Sequence, residues 1–70
     1  MNELSELDGR KRSNVRPGIE VSVVKKQHQQ SGELTHGMVK RVLTKSSFHP
    51  HGIKVMLDTG EVGRVKIIAL

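Results

Sequence analysis

Arg10-Lys11-Arg12 and Arg16 place four cations within seven residues, with no carboxylate among them. Such a run neutralises phosphates and releases their counterions, giving affinity for a polyanion without reading its sequence. Further cations recur downstream at Lys40, Arg41, Lys54, Arg64 and Lys66, out of step with the apolar alternation around them. They are therefore expected to point outward from strands, with Lys25-Lys26 and Lys45 at strand ends. Lysines on a very small β-protein also have a plainer use, as solvation and protection of exposed strand edges. Twelve Lys and Arg against seven Asp and Glu give a formal charge of +5 and a pI near 10.1, which favours a polyanionic partner.

Four histidines raise the question of a metal. His49 and His51 flank Pro50, while His28 and His36 lie in and beside an earlier polar loop. Zinc needs three or four ligands converging at about 2.0–2.1 Å, and this spacing fixes no such convergence. No metal and no other cofactor is expected; the histidines would instead gain charge below about pH 6.5. Cysteine is absent, and Ser46, Ser47, His49 and Asp58 supply residue types for nucleophilic chemistry without a group that orients them. A barrel of this size also lacks volume for a deep, dry pocket of a few hundred Å3, so neither catalysis nor a small-molecule substrate is expected. The glycines at 18, 37, 52, 60 and 63 lie between strand-like segments, as turns and bulges do, rather than between a strand and a helix as a phosphate loop requires.

Phe48 is the single aromatic residue and stands in the polar stretch KSSFHPHG. Without Tyr or Trp the chain cannot build an aromatic groove for proline-rich peptides or a cage for methyl-lysine. Base-stacking platforms need aromatics too, so contact with the backbone and shape of structured RNA is expected in preference to single strands. Phe48 itself has two readings. The preferred one makes it a lid over the open end of an aliphatic core; the other makes it an anchor, with His49 and His51 beside it, for a protein or RNA groove.

The elements that must position these residues are short. Seventy residues make one small domain, which buries only about 60% of its unfolded surface. No apolar run is long enough for a membrane span or a signal-peptide core, so a soluble cytoplasmic protein is expected. Residues 1–16 offer only Leu4, Leu7 and Val15 besides Met1, too few to offset the entropy of ordering them. They are expected to form a disordered arm, acidic over residues 1–8 and basic beyond, ending at Pro17-Gly18. Ile19, Val21 and Val23 then alternate with polar residues as a half-buried strand. Residues 25–35 are a loop, long for a hairpin and so a candidate working element. Residues 37–44 (GMVKRVLT) form a second strand in which two apolar pairs around Lys40-Arg41 imply a bulge and a change of phase. A third strand covers residues 53–57, a turn follows at Asp58-Thr59-Gly60, and residues 62–68 form the last strand with Gly63, Val65 and Ile67 on one face. Such a succession of strands without a helix predicts a small antiparallel barrel over residues 17–70.

Pro17-Gly18, Gly32, Gly37, Val39, Leu43-Thr44, Ser46, Leu57 and above all the motifs HPxGIKV (49–55) and GxVGRV (60–65) give residues 17–68 a resemblance to the YwbE family of small, functionally uncharacterised bacterial proteins. Membership in it implies a fold and no activity. Gly18, Val21, Val23, Gly32, Gly37 and Val39 also fall in the order found in KOW-type SH3-like barrels, a resemblance that implies RNA or an RNA-bound machine as partner. Together these lead to an all-β chain, an SH3-like antiparallel barrel of four or five strands behind a basic arm. It is expected to dock as a non-catalytic monomer on RNA or a ribonucleoprotein through Arg10, Lys11, Arg12, Arg16, Lys40, Arg41, Lys54, Arg64 and Lys66. The alternative is a protein-interaction module using a strand edge or the Phe48 loop, with edge-paired dimers in the same class.

Overall fold

A computed structural model of the chain describes residues 8–69. Four strands form where β-branched residues alternate with polar ones: β1 (Glu20–Lys25), β2 (Thr35–Val42), β3 (Lys54–Leu57) and β4 (Val62–Ile68). They pair antiparallel in the order β1-β2-β3-β4, and β4 returns to β1 to close a barrel. The expected all-β antiparallel barrel is thus the one observed, with four strands. Its first connection carries a 3-10 turn at Lys26–His28. No helix among the described residues is long and apolar enough to cross a membrane.

Closure with so few strands requires sharp bending, which two bulges supply. On β2, Val39 faces Leu57 and Arg41 faces Met56, so Lys40 is the extra residue, at the bulge its sequence implied. Its insertion returns Val42 to the inside after Val39. On β4, Ser22 faces Ile67 and Val23 faces Val65, leaving Lys66 unpaired. This second bulge overturns one expectation: Ile67 is 52% exposed, and Ile68 takes the inward position. β2 pairs with β1 through its first half and with β3 through its second. The closed ladder therefore leaves no full-length unpaired strand edge among the described residues.

The core is aliphatic and mostly valine. Val21, Val23, Val39, Val55 and Val65 surround Ile53 and Leu57, with Ile68 and Val15 at the margins. Gly52 takes φ +104°, and a Cβ there would overlap the Val65 carbonyl oxygen. The loop thus packs its backbone directly on β4.

Val15 also marks where the structure departs from the expected disordered arm. It is 2% exposed and belongs to the core, a burial worth about 1.5–3 kcal/mol. Residues 8–16 are ordered by backbone hydrogen bonds to the 47–53 loop. The Arg12 N–H donates to the Ser47 carbonyl (2.8 Å), the His49 N–H to that of Arg10 (2.9 Å) and the Ile53 N–H to that of Gly9 (2.9 Å). Lys11 and Phe48 form a single β-bridge, and a 3-10 turn at Arg12–Asn14 delivers Val15 to the core. Backbone pairing of this kind leaves no trace in composition, which is why a count of apolar side chains misses it. Leu4, Leu7 and the rest of residues 1–7 lie outside the described residues.

Candidate nucleic-acid interface

β2, β3 and β4 follow one another around the barrel wall, and their outward cations lie on its outer surface. Val42, Val55 and Val65 turn toward the core, so Arg41, Lys54 and Arg64, each next to one of them, turn away from it. Lys54 and Arg64 are direct cross-strand partners, and Arg41 sits opposite Met56, one pleat along β3 from Lys54. With strands about 4.8 Å apart and a two-residue offset along β3, the three backbone positions span about 12 Å of the barrel wall. The Lys54 strand is held in register beyond β2, where its N–H donates to Thr44 Oγ1 (2.7 Å) and its carbonyl accepts from the Leu43 N–H (2.8 Å).

At the β2 end of this band the ordered N-terminal segment adds two cations. Arg12, Arg16, Lys40 and Arg41 line an open groove of ≈ 480 Å3 over Val15 and Val42. The Lys40 bulge therefore serves the surface as well as the bend. At the β4 end, Arg64 Nη1 donates to the Gly52 carbonyl (3.2 Å) and Lys66 Nζ to the His51 carbonyl (3.1 Å). These two bonds tie the 49–52 loop to β4.

That loop is internally braced. The His51 N–H donates to His49 Nδ1 (3.2 Å), a bond that requires His49 to be neutral at that nitrogen, and the two rings lie 5.8 Å apart. Desolvation, followed by the charges of Arg64 and His51, holds the His49 pKa below the ordinary imidazole range. Acidification therefore charges His49 later than a fully solvated histidine, and its contribution to the cationic face is delayed.

The described carboxylates are matched by other partners, including Glu61, which lines a recess beside β4 with Lys54 and Arg64. Asp8 makes a two-point pair with Arg10, its oxygens accepting from Nε (2.9 Å) and Nη2 (3.1 Å), and these bonds hold the Asp8 carboxyl below its usual range. Glu61 pairs with Lys25 at 2.7 Å, and Glu33 and Glu20 face His28 and His36. No carboxylate among the described residues comes within ion-pair distance of Arg12, Arg16, Lys40, Arg41, Lys54, Arg64 or Lys66. These seven of the nine expected contact residues form the uncompensated band. Arg10 is matched by Asp8, and the Lys11 backbone is bridged to Phe48.

Phe48 does not lid the barrel. It is 46% exposed and outside the core, with the Arg10 guanidinium 5.7 Å above its ring. Aliphatic side chains fill the core, Val15 and Ile53 among them, and the aromatic ring lies on the surface.

Sequence reasoning missed Gln29 and Val24. Both line two adjoining recesses beside β4, of ≈ 600 and ≈ 380 Å3, together with Arg64. The only available signal was the unusual length of the 25–35 connection, which names no residue.

Lys25 and Glu61 offer a direct test of the local electrostatics. The Lys25 ammonium, then the Thr59 hydroxyl, lowers the Glu61 pKa. A folded-state value below the unfolded one adds stability at neutral pH, and that stability is lost as pH falls through the carboxylate range. Lys25→Met is expected to move Glu61 back up toward its ordinary value in an NMR titration and to flatten the acid limb of stability. An unmoved Glu61 titration would show that the pair does not set its pKa.

A family model described as an uncharacterized conserved protein (DUF2196) matches residues 8–68, a span that includes the ordered basic run. The chain is also 50% identical over 58 residues to the uncharacterized protein YwbE of Bacillus subtilis (strain 168), an overlap of 83% of this chain and 89% of that one. No solved structure matches it.

Proposed function

The chain belongs to the DUF2196 family of uncharacterized conserved proteins, and on that premise we propose a function from its surface: a non-catalytic module that docks on structured RNA, alone or within a ribonucleoprotein. The observation that carries this reading is the band of seven cations, running from Arg12 and Arg16 across β2, β3 and β4 to Lys66, with no described carboxylate paired to it. In this mechanism the cations neutralise consecutive phosphates while the rigid barrel fixes their spacing. Among the described residues the closed ladder offers the strand-edge alternative no full-length unpaired edge, which leaves the Phe48 surface as the protein-binding alternative.

The test is the salt dependence of binding to a fully paired RNA hairpin closed by a non-nucleotide linker, followed by fluorescence anisotropy. Engagement of about four phosphates predicts an affinity loss of about 10²-fold between 50 and 200 mM salt. The double variant Arg41→Gln, Lys54→Gln changes two exposed positions and is expected to lower the slope by about 2. Association that ignores salt would defeat the proposal and turn attention to the Phe48 surface.

A further inference from the structure

The two recesses beside β4 share Val24, Gln29 and Arg64 and so adjoin as one trough between β1, β4 and the turn over residues 26–32. Its composition differs from the rest of the cationic band. Val24 is 7% exposed yet lies outside the barrel core, so it forms an apolar floor on the outer side of the sheet. Gln29 brings an amide, which can donate and accept at once. Arg64 is half-buried, and its bond to the Gly52 carbonyl restrains the guanidinium while its remaining donors have no partner among the described residues. Lys54 lies at one end of the trough with Lys26 and the Glu61 carboxylate, which Lys25 neutralises at 2.7 Å, and His51 and Lys66 lie at the other end. An apolar floor, a planar cation, a two-way amide and flanking ammonium groups match the parts of a nucleotide. Duplex RNA cannot present such a unit, because its bases are paired and its major groove is too narrow for side chains to read.

We propose that this trough holds one unpaired nucleotide of the RNA, its base on the Arg64 guanidinium and over Val24, its edge on the Gln29 amide and its phosphate at Lys54 or Lys66. The site rests on the RNA-docking reading and refines it. Unpaired bases stack on arginine planes as well as on aromatic rings, so a chain without Tyr or Trp still has a platform. The resulting specificity is for a local interruption in a helix, since the band grips the paired flank while the trough takes the extruded residue.

Two hairpins of equal length and charge, both closed by a non-nucleotide linker so that no loop base is available, one fully paired and one with a single-nucleotide bulge, separate these contributions. The unmodified chain is expected to bind the bulged hairpin about tenfold more tightly at matched salt. Arg64→Lys, which keeps the charge and removes the plane, should bring that ratio close to one with little change in the salt slope. Gln29→Ala, at an exposed turn position, should reduce the ratio with affinity for the paired hairpin unchanged, and it decides the matter if the Arg64 variant does not fold. Equal binding of the two hairpins by the unmodified chain, or a preference that survives both substitutions, would overturn the nucleotide site while leaving the docking reading in place. Loss of salt-dependent binding to both hairpins would overturn the docking reading itself and the site with it. Full competition by free uridine monophosphate, at the concentration at which the bulged hairpin binds, would overturn the assignment of the trough to an RNA residue.

Discussion

Alanine in place of Gly52 is expected to leave the chain largely unfolded at room temperature. Two costs add at this position. The backbone φ of +104° is one that side-chain-bearing residues rarely adopt, a strain of about 1–3 kcal/mol. The new methyl would also overlap the Val65 carbonyl oxygen, which is backbone within a buried stretch of β4 and cannot rotate aside. Together they reach about 4 kcal/mol, near the whole stability of about 3–5 kcal/mol that a core of this size supplies. Gly60→Ala is the matched comparison. Its φ is +93°, but nothing lies within 4 Å of the added methyl, so only the conformational strain applies. Circular dichroism melts are expected to show a cooperative transition, lowered by several degrees, for Gly60→Ala and none for Gly52→Ala. Equal melting of the two variants would mean that the loop yields and that its contact with β4 is not a constraint on the fold.

Deletion of residues 1–16 is expected to cost the fold as well as four cations. It removes Val15 from the core, together with the backbone partners that Gly9, Arg10 and Arg12 give to the 47–53 loop. Losing the burial of Val15 alone costs about 1.5–3 kcal/mol, and the loop is left with unpaired backbone groups. The expected result is collapse of amide dispersion in the NMR spectrum of the truncated chain, with Val15→Ala giving a milder loss of about 2 kcal/mol in a denaturant titration. A truncated chain that kept its dispersed spectrum and its melting midpoint would show the segment to be dispensable. The consequence for binding studies is direct: weak RNA binding by this truncation would report unfolding, whereas Arg12→Gln with Arg16→Gln removes the charge and leaves Val15 and the backbone bonds in place.

The strands were legible because each is half-buried, and a period of two then marks which side chains turn inward. The β2 bulge was legible for a related reason: two apolar pairs around Lys40-Arg41 cannot share one face without an extra residue. The β4 bulge left no such mark, since Ile67-Ile68-Ala69 is apolar throughout and fixes no phase. Charge patterning identified most of the cationic positions, because Lys and Arg on a strand almost always face water. Their grouping was another matter. It depends on residues 8–16 being folded back against β2 and the 47–53 loop by backbone bonds that any sequence can make. Phe48 was misplaced because an aromatic residue normally repays burial, whereas here aliphatic side chains, Val15 and Ile53 among them, already fill the core. Gln29 could not have been found from its residue type, since its role follows from where a 3-10 turn leaves it.

The pairing of β1 with β4 joins Val21 to Ile68, nearly the two ends of the barrel. During synthesis this seam can form only after Ile68 has emerged, so until then β1, β2 and β3 can pair only as an open sheet without the β4 side of the core. Most of the stabilising contacts thus arrive in one late step, after the longest chain closure has been made. Each newly made molecule therefore spends an interval with its valine strands exposed, and the time taken to close the seam sets how long they remain available to other chains.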